Sequence, residues 1–175
     1  MMKKFFMMMA FAAMTAGASA QGEFTVGPKD TWIRGGKTGK DVKNIELTFD
    51  ASVKDWKLGG SKNDETEVGG VELSGKYVTS QATNGAPVVF KTMKAGRLTI
   101  FLGGAVATTK KVFMKAGDTK VSGKVLSTGA EVECGQHPSA DIKAWDALVY
   151  DVEADKEYTF YISGAKWRFA GFKFE

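Results

Sequence analysis

Alternation with a period of two is the feature that most constrains how this chain can fold. Tyr158, Phe160 and Ile162 interleave with Thr159, Tyr161 and Ser163. Leu98, Ile100 and Leu102 interleave with Arg97, Thr99 and Phe101, and Leu148, Tyr150 and Val152 with Val149, Asp151 and Glu153. Successive side chains of a strand point to opposite faces, so each run offers one apolar face and one more polar face. Antiparallel sheets with one side on a core and the other toward water have this pattern. Strand-like runs at 45–49, 70–73, 88–93, 97–102, 111–115, 148–153, 158–163 and 167–174 are rich in Val, Thr, Phe, Tyr and Ile. Turns such as Lys94-Ala95-Gly96 and Lys115-Ala116-Gly117-Asp118 separate them. Only 139–148 could hold a short helix, with Ser139 as its cap. The expected fold is all-β, an antiparallel β-sandwich of jelly-roll type.

Residues 1–20 follow a different logic. Lys3 and Lys4 precede an apolar run from Phe5 to Met14, and Ala18-Ser19-Ala20 offers the small residues a signal peptidase needs. The run is shorter than the about 20 apolar residues of a membrane helix. The expected organisation is a signal peptide at 1–20 and a single β-sandwich domain at 21–175, secreted or periplasmic after cleavage. No cysteine stands at the cleavage point, so a lipoprotein is not expected.

The leader also distorts the composition. Six of the eight methionines lie within it, so the apparent Met richness belongs to targeting. Removing Lys3 and Lys4 from the 24 basic residues leaves 22 against 20 acidic ones, formally +2. The remaining lysines are scattered among acids with no basic block interleaved with aromatics, so nucleic acid is not an expected partner. No later segment is long and apolar enough for a membrane span. Cys134, the single cysteine, excludes an intrachain disulfide. It reads as a small buried apolar group, with a reactive or intermolecular thiol as the alternative.

From Gly70 onward the order of pieces resembles a known type of module. Gly-Val-Glu-Leu-Ser-Gly (70–75), residues 86–93, Ala95-Gly96-Arg97-Leu98-Thr99-Ile100-Phe101 and residues 154–174 carry the likeness. The stretch Asp155-Lys156-Glu157-Tyr158-Thr159-Phe160-Tyr161-Ile162-Ser163-Gly164-Ala165-Lys166 is the most telling. It is similar to the C-terminal β-sandwich modules attached to secreted pectate lyases and other polysaccharide-degrading proteins of Bacteroidetes. The resemblance covers about two-thirds of the chain after the leader and implies a galactose-binding-like jelly roll with a glycan-binding or accessory role. It brings no binding residues with it, and the module is expected to stand alone with no lyase attached.

The candidate sites are read from the residues. Arg34-Gly35-Gly36-Lys37-Thr38 ends like a phosphate-binding loop, but the motif needs glycine where Thr31 stands, and no helix follows. His137 lies near Cys134 without an evident third partner for nucleophilic or metal chemistry, so a surface-loop histidine is expected. No Gly-x-Ser-x-Gly elbow occurs, and the acids show no spacing distinctive of glycoside hydrolysis. The polar stretch 50–70 is expected to be a long loop over one end of the sandwich. Its Asp50, Asp55, Asn63 and Asp64, with Glu65 and Glu67, form either a solvated acidic loop or oxygen ligands for a structural calcium. No other cofactor is expected.

Sugar rings stack on exposed aromatic faces. Of Trp32, Trp56, Trp145 and Trp167, Trp56 is the best placed for exposure, between Asp55 and Lys57, either facing ligand or forming a lid. Gly164-Ala165 fits a two-residue hairpin turn that pairs Ile162 with Trp167, Tyr161 with Arg168 and Phe160 with Phe169. Trp167 and Phe169 then face the core, and Tyr161 and Arg168 sit together outside. A one-residue slip would expose Trp167 and Phe169 instead. An outward Tyr161–Arg168 pair could hold a sugar, with the guanidinium forking onto a uronate, or could be an ordinary cross-strand pair. The sequence therefore leads to a non-catalytic, secreted carbohydrate-binding or accessory protein with Trp56, Tyr161 and Arg168 as candidate contacts. A structural or interaction protein of the cell surface or a secreted complex is the alternative, and a glycan-active enzyme stands third.

Overall fold

The computed structural model describes residues 22–28, 39–49, 56–80, 87–104, 106–163 and 167–175. Along the chain they form β1 (Gly22–Thr25), β2 (Gly39–Val42), β3 (Ile45–Phe49), β4 (Trp56–Gly60), β5 (Thr66–Val68), β6 (Val71–Leu73), β7 (Lys76–Ser80) and β8 (Val88–Thr92). These are followed by β9 (Gly96–Leu102), β10 (Val112–Ala116), β11 (Thr119–Lys120), β12 (Gly123–Val125), β13 (Glu131–Val132), β14 (Asp146–Val152), β15 (Lys156–Ile162) and β16 (Arg168–Phe174). One sheet runs β13-β12-β14-β9-β16-β7-β4, with β1 also paired to β16. The second runs β11-β10-β15-β8-β3-β2, and β5 with β6 makes a separate hairpin. Their paired strands are antiparallel, and the two large sheets pack as the expected β-sandwich.

The core lies where the alternation puts it. Leu98, Ile100 and Leu102 of β9, Leu148 and Tyr150 of β14, and Phe160 and Ile162 of β15 are buried between the sheets. Phe90 of β8 meets Phe172 of β16 edge-on at 5.4 Å, and Phe49 of β3 meets Phe169 at 5.6 Å. Each such fully buried side chain contributes roughly 1.5–3 kcal/mol relative to exposure.

The hairpin expected from 158–163 and 167–174 does not form. β15 pairs with β10 and β8, whereas β16 pairs with β9, β7 and β1 in the opposite sheet. The chain therefore changes sheets between Ser163 and Trp167; Gly164-Ala165 lies outside the described residues. Trp167 and Phe169 still share the core with Phe160 and Ile162, but as facing layers rather than as cross-strand neighbours. Both arrangements bury the same alternate residues, so the period cannot choose between them.

Three further expectations are corrected. Residues 139–148 are not a helix: Ile142 makes an isolated bridge to Val106, Trp145 has a left-handed backbone with φ 56°, and Asp146 opens β14. The described part of 50–70 is not one long loop, since it holds β4, a one-turn 3-10 helix (Lys62–Asp64) and β5. Phe101, which the alternation turns outward, is fully buried because the β5–β6 hairpin lies over it. Residues 1–20, Trp32, residues 34–38, Asp50 and Asp55 lie outside the described residues.

Candidate functional site

The outer face of the larger sheet is divided by the β5–β6 hairpin. Val68, Val71 and Leu73 turn inward onto Phe101, Ala147 and Ala170, while Glu67 and Glu72 alternate away from the sheet and are exposed. Small residues at 147 and 170 let the hairpin sit close. On one side of it lies an aromatic shelf made by Tyr77, Trp145 and Arg168.

Strand register assembles that shelf. On β7, Val78 points into the core, so Tyr77 and Thr79 point outward; on β16, buried Phe169 leaves Arg168 outward. The Gly103 N–H donates to the Arg168 carbonyl at 3.0 Å, which sets Arg168 beside Gly103. Trp145 immediately precedes β14, whose Asp146 is opposite Leu102, so Trp145 flanks Gly103 from the other side. A side chain at position 103 would begin 3.0 Å from Tyr77 Cβ and 3.1 Å from Trp145 Cζ3. Its absence lets the two rings approach to 6.3 Å between centroids with a 51° tilt.

Arg168 completes the shelf. Its guanidinium carbon lies 4.7 Å from the Tyr77 ring centroid, a cation–π geometry. Tyr77 and Trp145 are half-buried against the hairpin cluster, and Arg168 is exposed. The left-handed φ of Trp145 costs of order 1–2 kcal/mol for a residue with a Cβ. Its ring packs on Tyr77 and the hairpin cluster, contacts that hold the residue in this conformation. Two half-exposed rings, a small-residue floor and a guanidinium together offer an apolar stacking surface next to a planar hydrogen-bond fork.

The residues singled out in the sequence go to different places. Arg168 lies on the shelf. Tyr161 does not: it belongs to the other sheet, where it stacks on Phe113 at 4.5 Å with an interplanar angle of 5°. The proposed Tyr161–Arg168 pair is therefore absent, because β15 and β16 are in opposite sheets. Trp56 is corrected as well. It is 2% exposed and meets Phe49 at 4.9 Å and Trp167 at 6.5 Å, so it belongs to the core. Asn63 and Asp64 are exposed on the 3-10 turn, where their amides bond to Ser61. Among the described residues, no group of three His, Cys, Asp or Glu side chains could hold a metal ion.

Cys134 is buried, as the apolar reading expects, and the exposed His137 places Nδ1 3.2 Å from the Lys110 carbonyl. A concavity of about 430 Å³ lies on the same sheet among Arg97, Lys124, Leu126, Glu131, Val149 and Asp151. Its charges pair with one another, Arg97 with Asp151 at 3.8 Å and Lys124 with Glu131 at 4.0 Å. These are exposed ion pairs of small energetic value, and no aromatic ring lines the space.

Sequence reasoning missed Tyr77 and passed over Trp145. A signal for Tyr77 was present, since Lys76-Tyr77-Val78-Thr79 alternates like the other strands. Nothing local announced that Trp145 would meet it. A comparison with protein-family models finds no match to this chain, and a comparison with curated proteins finds none either.

Proposed function

We propose that the protein is a non-catalytic, carbohydrate-binding β-sandwich of jelly-roll type that acts outside the cytoplasm, with the Tyr77–Trp145–Arg168 shelf as its recognition surface. The observation that carries this reading is the half-exposed Tyr77–Trp145 pair over the bare backbone of Gly103. Rings at an angle form a shallow trough whose apolar faces suit the C–H face of a pyranose, while Arg168 suits its hydroxyl or acid groups. The leader-like residues 1–20 and the resemblance of 155–166 to modules of polysaccharide-degrading proteins support the same reading.

The interaction-protein alternative calls for a broad apolar patch or an unpaired edge strand. Among the described residues the exposed large apolar side chains are Met93, next to β8, and Leu126, next to β12, which come from different sheets. Two such side chains on different sheets do not make such a patch. Affinity electrophoresis and calorimetry on a panel of neutral and acidic polysaccharides test the glycan reading. Retention on at least one polymer, abolished by Trp145→Ala and by Tyr77→Ala with the thermal unfolding midpoint little changed, is expected. Absence of retention on every polymer overturns it.

A further inference from the structure

Arg168 and Trp145 of the shelf stand in a longer row, with Tyr77 on the row beside it. Lys57 on β4 is opposite Thr79 on β7, and Thr79 is opposite Arg168 on β16. The row continues through Gly103 to Trp145. Lys57 and Arg168 are both exposed on the outer face, and neither makes an ion pair among the described residues. Five positions at strand spacing cover about 19 Å, with the two cations about 10 Å apart at their backbones. The β5–β6 hairpin lies on the neighbouring row, over Ala170, Phe101 and Ala147. Among the described residues it leaves a strip running across the strands uncovered and blocks one running along them.

We infer that this strip binds an acidic oligosaccharide laid across the strands, with one sugar carboxylate on the Arg168 guanidinium, a second on Lys57, and an intervening or flanking ring stacked on Tyr77 and Trp145. This rests on the glycan-binding reading above and specifies its ligand. Arg168 is suited to the carboxylate because its fork can donate two parallel hydrogen bonds, and the Tyr77 ring beneath orients it. Lys57 supplies a point charge further along the same row. The hairpin acids do not oppose this, since Glu67 and Glu72 point away from the sheet. The charge arrangement distinguishes the strip from the concavity at Arg97, where every cation has an acidic neighbour.

Calorimetry with a panel of polyuronates, each compared with its methyl ester, tests the inference. The ester keeps the rings and removes the charge. The acid form is expected to bind about tenfold or more tightly than the ester, an advantage that falls with added salt. Arg168→Gln should abolish the advantage, weakening the acid form about tenfold more than it weakens the ester. A length series should show a step in affinity at the oligomer long enough to reach from Arg168 to Lys57, and Lys57→Gln should erase that step alone. Equal affinity for acid and ester overturns the inference and leaves the glycan reading standing. An acid preference that survives Arg168→Gln overturns the assignment of the residue. Binding of neither form by any polymer of the panel, neutral ones included, overturns both.

Discussion

The rings of Tyr77 and Trp145 meet across Gly103, and neither could hold its position if residue 103 carried a side chain. The two rings come from strands that are not neighbours, β7 and the entry to β14, with β16 and β9 between them. A glycine there is what turns two separate aromatic residues into one surface. Gly103→Ala should therefore cost about 1 kcal/mol of stability, as the rings shift by a few tenths of an ångström. Glycan affinity should fall about tenfold because the stacking trough is split. Chemical denaturation, near-ultraviolet circular dichroism and calorimetry on the same variant separate the two effects. Unchanged affinity would contradict the role given to the pair.

The crossing between the sheets is held by Phe160 and Trp167, whose rings meet edge-on at 5.1 Å. Both are buried, and Trp167 also packs against Trp56 and Phe169. Trp167→Ala should lower stability by about 3–5 kcal/mol and Phe160→Ala by a similar amount. Because the rings share one contact, the double variant should lose less than the two single losses added together, which a double-mutant cycle in urea measures.

Gly171 sits in the irregularity of β16 where the register against β9 shifts. That shift lets Phe169, Phe172 and Phe174 all reach the core although a regular strand would turn Phe169 away from the other two. With φ 146°, and the Phe24 carbonyl lying where a Cβ would be, the position accepts glycine alone. Gly171→Ala should destabilise the protein by about 2–3 kcal/mol. The damage should fall first on β1, which pairs with β16 here, so the Val26 amide that donates to the Ala170 carbonyl should lose hydrogen-exchange protection.

Tyr150 has a fully buried hydroxyl with no hydrogen-bond partner among the described residues. Burial, and secondarily the nearby Cys134, push this hydroxyl far above the ordinary phenol value. Tyr150→Phe removes an unpartnered polar group, so it should be neutral to about 1 kcal/mol stabilising at neutral pH. The pH dependence follows from the raised value. Below about pH 10 both folded and unfolded chains keep the proton; above it the unfolded chain releases the proton while the folded one holds it, so stability falls as pH rises. Tyr150→Phe should show a shallower alkaline loss in denaturation curves taken between about pH 9 and 11.

The β5–β6 hairpin is held on the sheet by three apolar side chains. Leu73→Ala should cost about 2–3 kcal/mol locally and loosen the cover over Phe101. Since Trp145 packs against the same cluster, tryptophan emission should shift to the red before global unfolding. A shift that appears only together with the main transition would mean that the hairpin is not a separable cover.

Much of the core could be read from the chain residue by residue. The expected 45–49 coincides with Ile45–Phe49, and the buried sets at 98, 100, 102 and at 158, 160, 162 are those the alternation assigns. The strands around the shelf were harder to see. Lys76–Ser80 is short and its outer residues are half-buried, while Trp56–Gly60 ends in two glycines within a stretch rich in polar residues. Trp56 was misread for the same reason: charged flanks, Asp55 and Lys57, suggest exposure. With Lys57 outward on β4, alternation turns Trp56 inward.

Alternation along the chain establishes that it is β-rich and which residues of its stronger strands face a core, because alternation is a property of each strand alone. Tertiary structure decided what lies across from each face. It sent 158–163 and 167–174 into opposite sheets, covered the outward Phe101 with a hairpin, and parted Tyr161 from Arg168. It also brought Tyr77, Gly103, Trp145 and Arg168 onto one surface. Those outcomes depend on strand order and on contacts between residues far apart in the chain, which a local period of two does not encode.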